Sequence, residues 1–433
     1  MASEEQSKDL SDGFEEEAFF DHELRGQIQQ EIHARLIPPL QAPLRARRIV
    51  FLIGRGSNQM ASAKAELRAW CKEAQIDVPE AQWRHFSFAT PKYEVNWEAH
   101  TEFVTLTWFG DINDGYSRPK GIGLEVLKRF PIIAATRVDV VERREISPAA
   151  LLGFEPKSLC LTRVGAGDAQ IGSDFHTDEH GFTRFEIALD GLSSVKTGIL
   201  VRRLLEIDTY RSMALLGLPD ARAQASIVGE LENELTALNE EIGSVSGMED
   251  SRRALAKLHS LSVRAGQSLD ETAYRFAASI AYGDVLNIRL DRIEEQQSAE
   301  HTTITRYLSN RVDPALATCR AVEKRQRSLG NKIARSIQLL DARINVDIQS
   351  QNREVLASIS ETAKSQYRLQ STVEGLSTIA ISYYALGILG YAMAGFADYL
   401  PVSKTLMLAI LAPFVLFGSW MGIRAIKNGH KVH

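Results

Sequence analysis

The chain has 433 residues, of which 44% are hydrophobic, and its formal net charge is −5. This length allows two or three domains, and the near-neutral charge gives no argument for binding nucleic acid. Cys71, Cys160 and Cys319 are far apart in the sequence. This spacing excludes a disulfide framework or a C-x-x-C zinc site and indicates reduced thiols in the cytosol.

The first 20 residues are rich in aspartate and glutamate and contain a single lysine. Such a segment is typical of a disordered acidic tail. It is the reverse of a secretory signal peptide, in which basic residues precede an apolar run. We therefore expect the large N-terminal part of the chain to stay in the cytoplasm.

Residues 21–195 combine short β-rich runs with helical stretches, which predicts an α/β or α+β cytoplasmic domain. The run 47–53 is a strand by its apolar, β-branched content, and Ser57 or Asn58 can cap a helix that continues to about residue 71. Gly54 and Gly56 lack the third glycine of a dinucleotide-binding turn, so they predict a simple strand-to-helix connection. Further strands are predicted at residues 86–88, 102–109, 135–141, 159–164 and 182–189.

Glu98, His100 and Glu102 alternate along the chain after Trp97. In an extended segment all three side chains point to one face of a sheet, where two carboxylates and an imidazole could bind a divalent cation. A solvated sheet face or a structural cluster of ion pairs would show the same pattern. Both interpretations stay open.

The polar segment 174–181 is a second candidate metal site. In an extended chain, Asp174, His176, Asp178 and His180 share one side at a spacing that could ligate a metal. The alternative is a polar loop before the strand at 182–189. The sequence has no P-loop, zinc-protease or serine-hydrolase motif, so we do not expect an enzyme. A divalent cation is the one cofactor that the sequence suggests.

After residue 195 the chain becomes helical. Residues 196–313 are predicted to form a helical subdomain, and Pro314 opens a stalk helix over residues 314–374. The apolar stripe of this helix has a period of about 3.67 residues, typical of a straight or slightly right-handed bundle. It predicts a homo-oligomer, with packing inside the chain as the alternative. The stripe consists of Leu329, Ile333, Ile337, Leu340, Ile344, Ile348, Val355 and Ile359.

Two apolar segments, residues 375–396 and 405–423, contain no charged residue. At about 1.5 Å per residue each is long enough to cross a bilayer. Pro401 in the link 397–404 breaks the helix, so we predict an antiparallel pair of transmembrane helices in the lipid bilayer. The alternative is a buried helical hairpin in a soluble core.

Basic residues around the two segments predict the topology. Arg424, Lys427 and Lys431 follow the second segment, and Lys364 and Arg368 precede the first. Because basic flanks stay on the cytoplasmic side, both termini are expected there, with residues 424–433 as a basic cytoplasmic tail.

Five blocks along the chain carry a family resemblance. They are residues 31–35 (Glu-Ile-His-Ala-Arg), 97–103 (Trp-Glu-Ala-His-Thr-Glu-Phe), 180–185 (His-Gly-Phe-Thr-Arg-Phe), 203–211 (Arg-Leu-Leu-Glu-Ile-Asp-Thr-Tyr-Arg) and 368–384, which begins Arg-Leu-Gln-Ser-Thr-Val-Glu-Gly-Leu-Ser. With these blocks the sequence resembles a bacterial family of uncharacterised membrane-anchored proteins, a domain of unknown function. The resemblance covers nearly the whole chain and implies an anchor in the bacterial inner membrane, without an established activity.

The order of elements, with a long stalk helix running into the first span, is similar to the CorA type of divalent-cation transporter. Tyr391 and Met393 fit that family's signature at the end of the first span, but Ala394 replaces the asparagine of its Gly-Met-Asn motif. The resemblance implies a homopentamer with a pore along the first spans. Without the asparagine amide, magnesium selectivity is in doubt.

The resemblance also implies which residues face such a pore. Asp398 would form an outer ring that concentrates cations. Small and polar residues on the same helix face suit contact between helices equally well. The remaining pore-lining candidates are Thr378, Ser382, Ala385, Leu389 and Met393.

Two hypotheses for the function follow. The first is an oligomeric inner-membrane protein of CorA-like build that conducts or transports cations with altered selectivity. The second is a non-transporting, membrane-anchored scaffold or sensor whose cytoplasmic domain binds a ligand or a protein. The long stalk and the acidic link favour the first, and the missing asparagine favours the second.

Overall fold

The structure is a computed structural model that describes residues 22, 24, 25, 28, 38–54, 57–81, 83–115, 117–244, 247–297, 300–394 and 403–429. The predicted acidic tail, the block at 31–35, most of the predicted link with Asp398, and the last residues of the basic tail lie outside the described residues. The chain divides into two compact units. The first comprises Met1–Leu238 and Leu258–Ala334, and the second Asn239–Lys257 and Arg335–His433.

The described helices and strands agree with the predicted order, a sheet domain followed by long helices. The strands are β1 (Leu44–Leu52), β2 (His85–Ala89), β3 (Glu94–Ala99), β4 (Phe103–Gly110), β5 (Ile132–Glu142), β6 (Cys160–Val164), β7 (Ala169–Ser173) and β8 (Thr183–Leu189). The helices are α1 (Ser57–Glu73), α2 (Pro148–Leu151), α3 (Ser194–Leu215), α4 (Gly217–Ser244), α5 (Met248–Asp291), α6 (Ile304–Ala394) and α7 (Lys404–Gly429).

The eight strands form one mixed sheet in the first unit, in the order β2-β3-β4-β1-β5-β8-β7-β6. Neighbouring strands are antiparallel, except that β5 and β8 are parallel. A parallel pair requires a long crossover, and here the crossover carries α2 and the hairpin of β6 and β7. The predicted mixed α/β domain is therefore confirmed.

The two faces of the sheet pack against different helices, because side chains alternate along each strand. On β1, Ala46 lies in a core with Leu204 of α3, and we name this side the α3 face. Ile49 lies in a second core with Leu67 and the buried Cys71 of α1, and we name that side the α1 face.

Two strands, β3 and β7, were not predicted from the sequence pattern. In β7, Gly172 interrupts the apolar run, yet the structure needs a small residue there. A Cβ atom on Gly172 would lie 2.9 Å from Ile146 Cδ1. The predicted extended segment after Trp97 is two strands, because the chain turns between the end of β3 at Ala99 and the start of β4 at Phe103.

Helix α6 begins at Ile304, so the predicted helix start at Pro314 is wrong. The carboxylate of Glu295 caps the helix by accepting the N–H groups of Ile304 and Thr305, both at 2.8 Å. Pro314 lies inside the helix, where it costs one backbone hydrogen bond. A proline is commonest in a first helical turn, which is why the sequence suggested a boundary there.

The edge strand β6 is covered by the connection between α5 and α6. The N–H of Gln296 donates to the carbonyl of Arg163 at 2.8 Å, and Thr162 Oγ1 donates to the carbonyl of Gln296 at 3.1 Å. Thr302 makes a further backbone bridge to Cys160. These contacts pair backbone groups that would otherwise face solvent along the edge.

In the second unit, α7 packs against the C-terminal part of α6 as an antiparallel hairpin. A Cβ atom on Gly390 would lie 3.6 Å from Leu408 Cδ1, and Ile381 and Ile423 line one groove. Both helices contain a stretch long and apolar enough to cross a membrane, of which 11% in α6 and 0% in α7 is buried. Core helices of a soluble protein are mostly buried, so this exposure does not favour the alternative of a soluble hairpin.

Candidate functional site

The first predicted metal site lies at the turn between β3 and β4. Glu98 ends on the α3 face, where its Oε2 is 3.4 Å from Arg48 Nη2 and 3.8 Å from His100 Nε2. Glu102 is fully buried and pairs with Arg275 of α5 at 2.7 Å. Glu98 and His100 thus line one cavity, whereas both carboxylate oxygens of Glu102 are engaged by Arg275.

Electrostatics explain how a carboxylate is kept charged at Glu98. Burial alone would raise the pKa of Glu98, but the Arg48 guanidinium and His100 outweigh burial and hold this pKa well below its usual range. Thr105 Oγ1 also donates to Glu98 Oε2 at 3.2 Å. The carboxylate is therefore already compensated by its protein partners, as in a structural ion-pair cluster.

A cavity of about 10 Å³ lies beside this cluster. That volume has room for about one water molecule and excludes a larger ligand. Its polar walls suit a bridging water between the sheet and α3. The cavity is lined by Arg48, Glu98, His100, Arg202, Glu206, Thr209 and Tyr210.

The second predicted metal site is a polar loop, as the alternative interpretation held. Asp174 accepts the N–H groups of Glu155 and His176 at 2.8 and 3.0 Å. Asp178 accepts those of His180 and Phe182, both at 2.9 Å. The two carboxylates thus hold the loop in shape.

This loop is not extended, since Phe175 and Gly181 have φ angles of 58° and 81°. The imidazoles of His176 and His180 are exposed to solvent. Across the part of the chain that the structure describes, no three His, Cys, Asp or Glu side chains are grouped so that they could hold a metal ion. The side chains of Asp174, His176, Asp178 and His180 therefore do not form the predicted ligand set.

Sequence reasoning missed a charged cluster on the α1 face. Arg45 pairs with Asp139 at 2.5 Å, and Arg137 bridges Asp139 at 3.1 Å and Asp178 at 3.0 Å. Arg45 and Arg47 both donate to the carbonyl of Asp114, each at 2.9 Å. The signal in the sequence was the alternation of Arg45 and Arg47 in a strand whose other residues, apart from Arg48, are apolar.

The guanidinium of Arg47 is an unusual group for a sheet interior. Its side chain is 5% exposed, and its closest carboxylate oxygen, on Asp114, is 3.8 Å away. Burial and the neighbouring charge of Arg45 lower the pKa of Arg47. An anionic partner would counter both effects, so this face of the sheet is suited to binding negative charge.

The predicted pore-lining residues lie on the covered side of the hairpin. Ser382 is buried, and Thr378, Ala385, Leu389 and Met393 are half-buried. Ser382 Oγ donates to the carbonyl of Thr378 at 2.7 Å, so this hydroxyl is satisfied inside its own helix. The burial of these side chains is compatible with a helix–helix contact, and Asp398 lies outside the described part.

The chain thus consists of a mixed α/β sheet domain followed by long helices, two of which could cross a membrane. The chain belongs to the family described as protein of unknown function (DUF3422), whose model matches residues 20–430. No curated protein matches the chain in a sequence comparison.

Proposed function

We propose that this chain is a membrane-attached, self-associating scaffold or sensor whose sheet domain binds a ligand. The observation that carries the proposal is the exposure of the two apolar helix stretches, of which 11% and 0% is buried. Exposed apolar surface of this length is costly in water and is stabilised in a bilayer. The sheet unit then serves as the soluble part of an anchored protein.

The proposed membrane is the bacterial inner membrane, with both termini in the cytoplasm. Arg424 and Lys427 follow the second apolar stretch, and Lys364 and Arg368 precede the first. Basic residues close to a span are retained on the cytoplasmic side, which supports this topology.

Self-association is proposed through the part of α6 that precedes the hairpin. Ile348, Val355 and Ile359 belong to the predicted stripe, and their exposed fractions are 36%, 56% and 58%. Leu329, Ile333 and Leu340 of the same stripe are already buried within the chain. Since the exposed side chains continue that stripe, a second copy of the same helix can cover the part that stays exposed. A second copy is therefore the occupant that fits this face.

Two measurements test the proposal. The full-length protein should stay in the membrane pellet after an alkaline carbonate wash, and its mass in detergent should be a multiple of one chain. Val355→Glu with Ile359→Glu should shift the mass towards the monomer. The control is Ala357→Glu. Ala357 is exposed on the opposite side of the same helical turns, so this substitution should leave the mass unchanged. Extraction of the protein by carbonate would refute membrane attachment, and a monomeric wild type in detergent would refute self-association.

CorA-like cation conduction stays a prediction that a flux measurement can decide. Its pore-lining candidates in α6 are buried or half-buried within one chain, so conduction would need the hairpin to repack. Liposomes containing the purified protein would be assayed for Mg²⁺, Zn²⁺, Ni²⁺ and K⁺ flux. Flux that is lost in Asp398→Ala would establish conduction, and absence of flux for all four ions would leave the scaffold or sensor.

A further inference from the structure

Four side chains from four neighbouring strands form one row across the α1 face. The strand register places Trp108 of β4 beside Arg47 of β1, and Arg47 beside Arg137 of β5. Arg137 is in turn beside Arg184 of β8. With strands about 4.8 Å apart, the row spans roughly 14 Å. We name Trp108, Arg47, Arg137 and Arg184 the donor row.

Each member of the donor row has one buried N–H group without an acceptor among the described residues. These groups are Nε1 of Trp108 and the Nε atoms of Arg47, Arg137 and Arg184. Trp108 is 0% exposed and Arg47 4% exposed, so bulk water does not serve as their partner. Buried donors are normally satisfied, so four unsatisfied donors in one row require an explanation.

The nearby carboxylates are already engaged by other donor atoms. Asp139 binds Arg45 and Arg137, and Glu186 pairs with Nη2 of Arg184. Asp114 accepts the hydroxyl of Tyr93 at 2.5 Å. The unsatisfied N–H groups of the donor row therefore lack oxygen acceptors in the described part of the chain.

We propose that the donor row binds a small oxyanion, bearing a phosphate or a carboxylate group. Guanidinium groups are planar forks of donors that match such oxygens, and charge-assisted hydrogen bonds are stronger than neutral ones. A single water oxygen accepts fewer hydrogen bonds than a phosphate or carboxylate group, which carries two or more acceptor oxygens. This inference gives a ligand class to the sheet domain of the proposed function, and it is independent of membrane attachment.

The surroundings of the row favour a small ligand. Asp178 Oδ2 accepts from Arg137 Nη1 at 3.0 Å, and Phe182 contacts Trp108 edge-on with the ring centroids 6.4 Å apart. The two contacts place Asp178 and Phe182 on this face of the sheet. The guanidinium of Arg184 lies 4.6 Å from the ring centroid of Phe154, which closes the row at its other end.

The test is calorimetric titration of the full-length protein in detergent with sodium phosphate and, separately, sodium acetate at constant ionic strength. We expect saturable binding of at least one anion. Trp108→Phe keeps the apolar ring and removes one donor, and it should weaken binding several-fold. Arg184→Gln removes a charged donor and should weaken binding about tenfold or more.

Trp97→Phe is the matched control. Trp97 is equally buried on the α1 face, but its Nε1 already donates to the carbonyl of Ile122 at 3.2 Å. The anion-binding constant of Trp97→Phe should equal that of the wild type. Circular dichroism verifies that all variants are folded. Binding of neither anion, or equal affinity in Trp108→Phe, Arg184→Gln and the control, would overturn the inference. A carbonate wash of the same variants tests membrane attachment separately, so the two proposals can fail independently.

Discussion

Arg275 of α5 binds both carboxylate oxygens of Glu102, with Nη1 3.0 Å from Oε1 and Nη2 2.7 Å from Oε2. Glu102 is fully buried at the turn between β3 and β4. The pair thus links two segments of the first unit that are far apart in the sequence. Because the carboxylate has no contact with solvent, its charge depends on its partners inside the protein.

We expect Arg275→Met to destabilise the sheet unit by about 3–5 kcal/mol, because it leaves a buried charge uncompensated. Adding Glu102→Gln should restore a large part of this loss. Thermal unfolding followed by circular dichroism measures both effects. The control is Arg264→Met on the same helix, whose pair with Glu234 is 49% and 43% exposed and should contribute less than about 1 kcal/mol. Equal losses at the two arginines would contradict the argument.

The stability of the sheet unit should fall at acid pH through Glu98. Burial raises the pKa of Glu98, but Arg48 and His100 together lower this pKa by more than burial raises it. The folded pKa therefore lies below the ordinary value of 4.5. A depressed pKa contributes stability that is complete above the unfolded pKa and is lost as the pH falls from about 4.5 towards the folded pKa. The wild type should exceed Glu98→Gln in unfolding temperature at neutral pH, and the difference should shrink on acidification. A difference independent of pH would exclude this cause.

Gly217, at the start of α4, is predicted to tolerate no side chain. A Cβ atom there would lie 2.7 Å from Ser279 Oγ of α5 and 3.3 Å from Cys319 Sγ of α6. Gly217→Ala should therefore destabilise the protein by about 1–3 kcal/mol. A Cβ atom on Gly229 of the same helix would lie 3.8 Å from the nearest atom, Arg325 Nη2. Gly229→Ala should be neutral or stabilising by up to about 1 kcal/mol in the same unfolding measurement.

Cysteine labelling distinguishes a packed hairpin from a pore. Burial raises the pKa of Cys160 to about 12, and all three native thiols are buried, so background labelling should be low. In permeabilised vesicles, Ser382→Cys should resist a membrane-impermeant cationic thiol reagent, whereas Ala357→Cys should react. Labelling of Ser382→Cys but not of Ile381→Cys would instead indicate a water-filled path along the α6 span.

The sequence predicted elements whose signal is local. The apolar, β-branched runs of β1, β5 and β8 and the uncharged stretches of α6 and α7 are visible as continuous patterns. The first metal hypothesis assumed one continuous extended segment, but a short turn follows Ala99 and Glu102 lies within it. Nothing local marks the donor row, because Trp108, Arg47 and Arg184 become neighbours only through the order of four strands. Such a site requires the topology to be known first.

The cover over β6 has a consequence for how the protein is made. Strand β6 is translated long before Gln296 and Thr302, which pair with its outer edge. A nascent chain that has not yet emerged beyond residue 302 would therefore present an open edge, the kind of surface that recruits other strands and aggregates. Truncated products ending within α5 should consequently be less soluble than products ending after the start of α6, although the shorter ones carry the complete sheet.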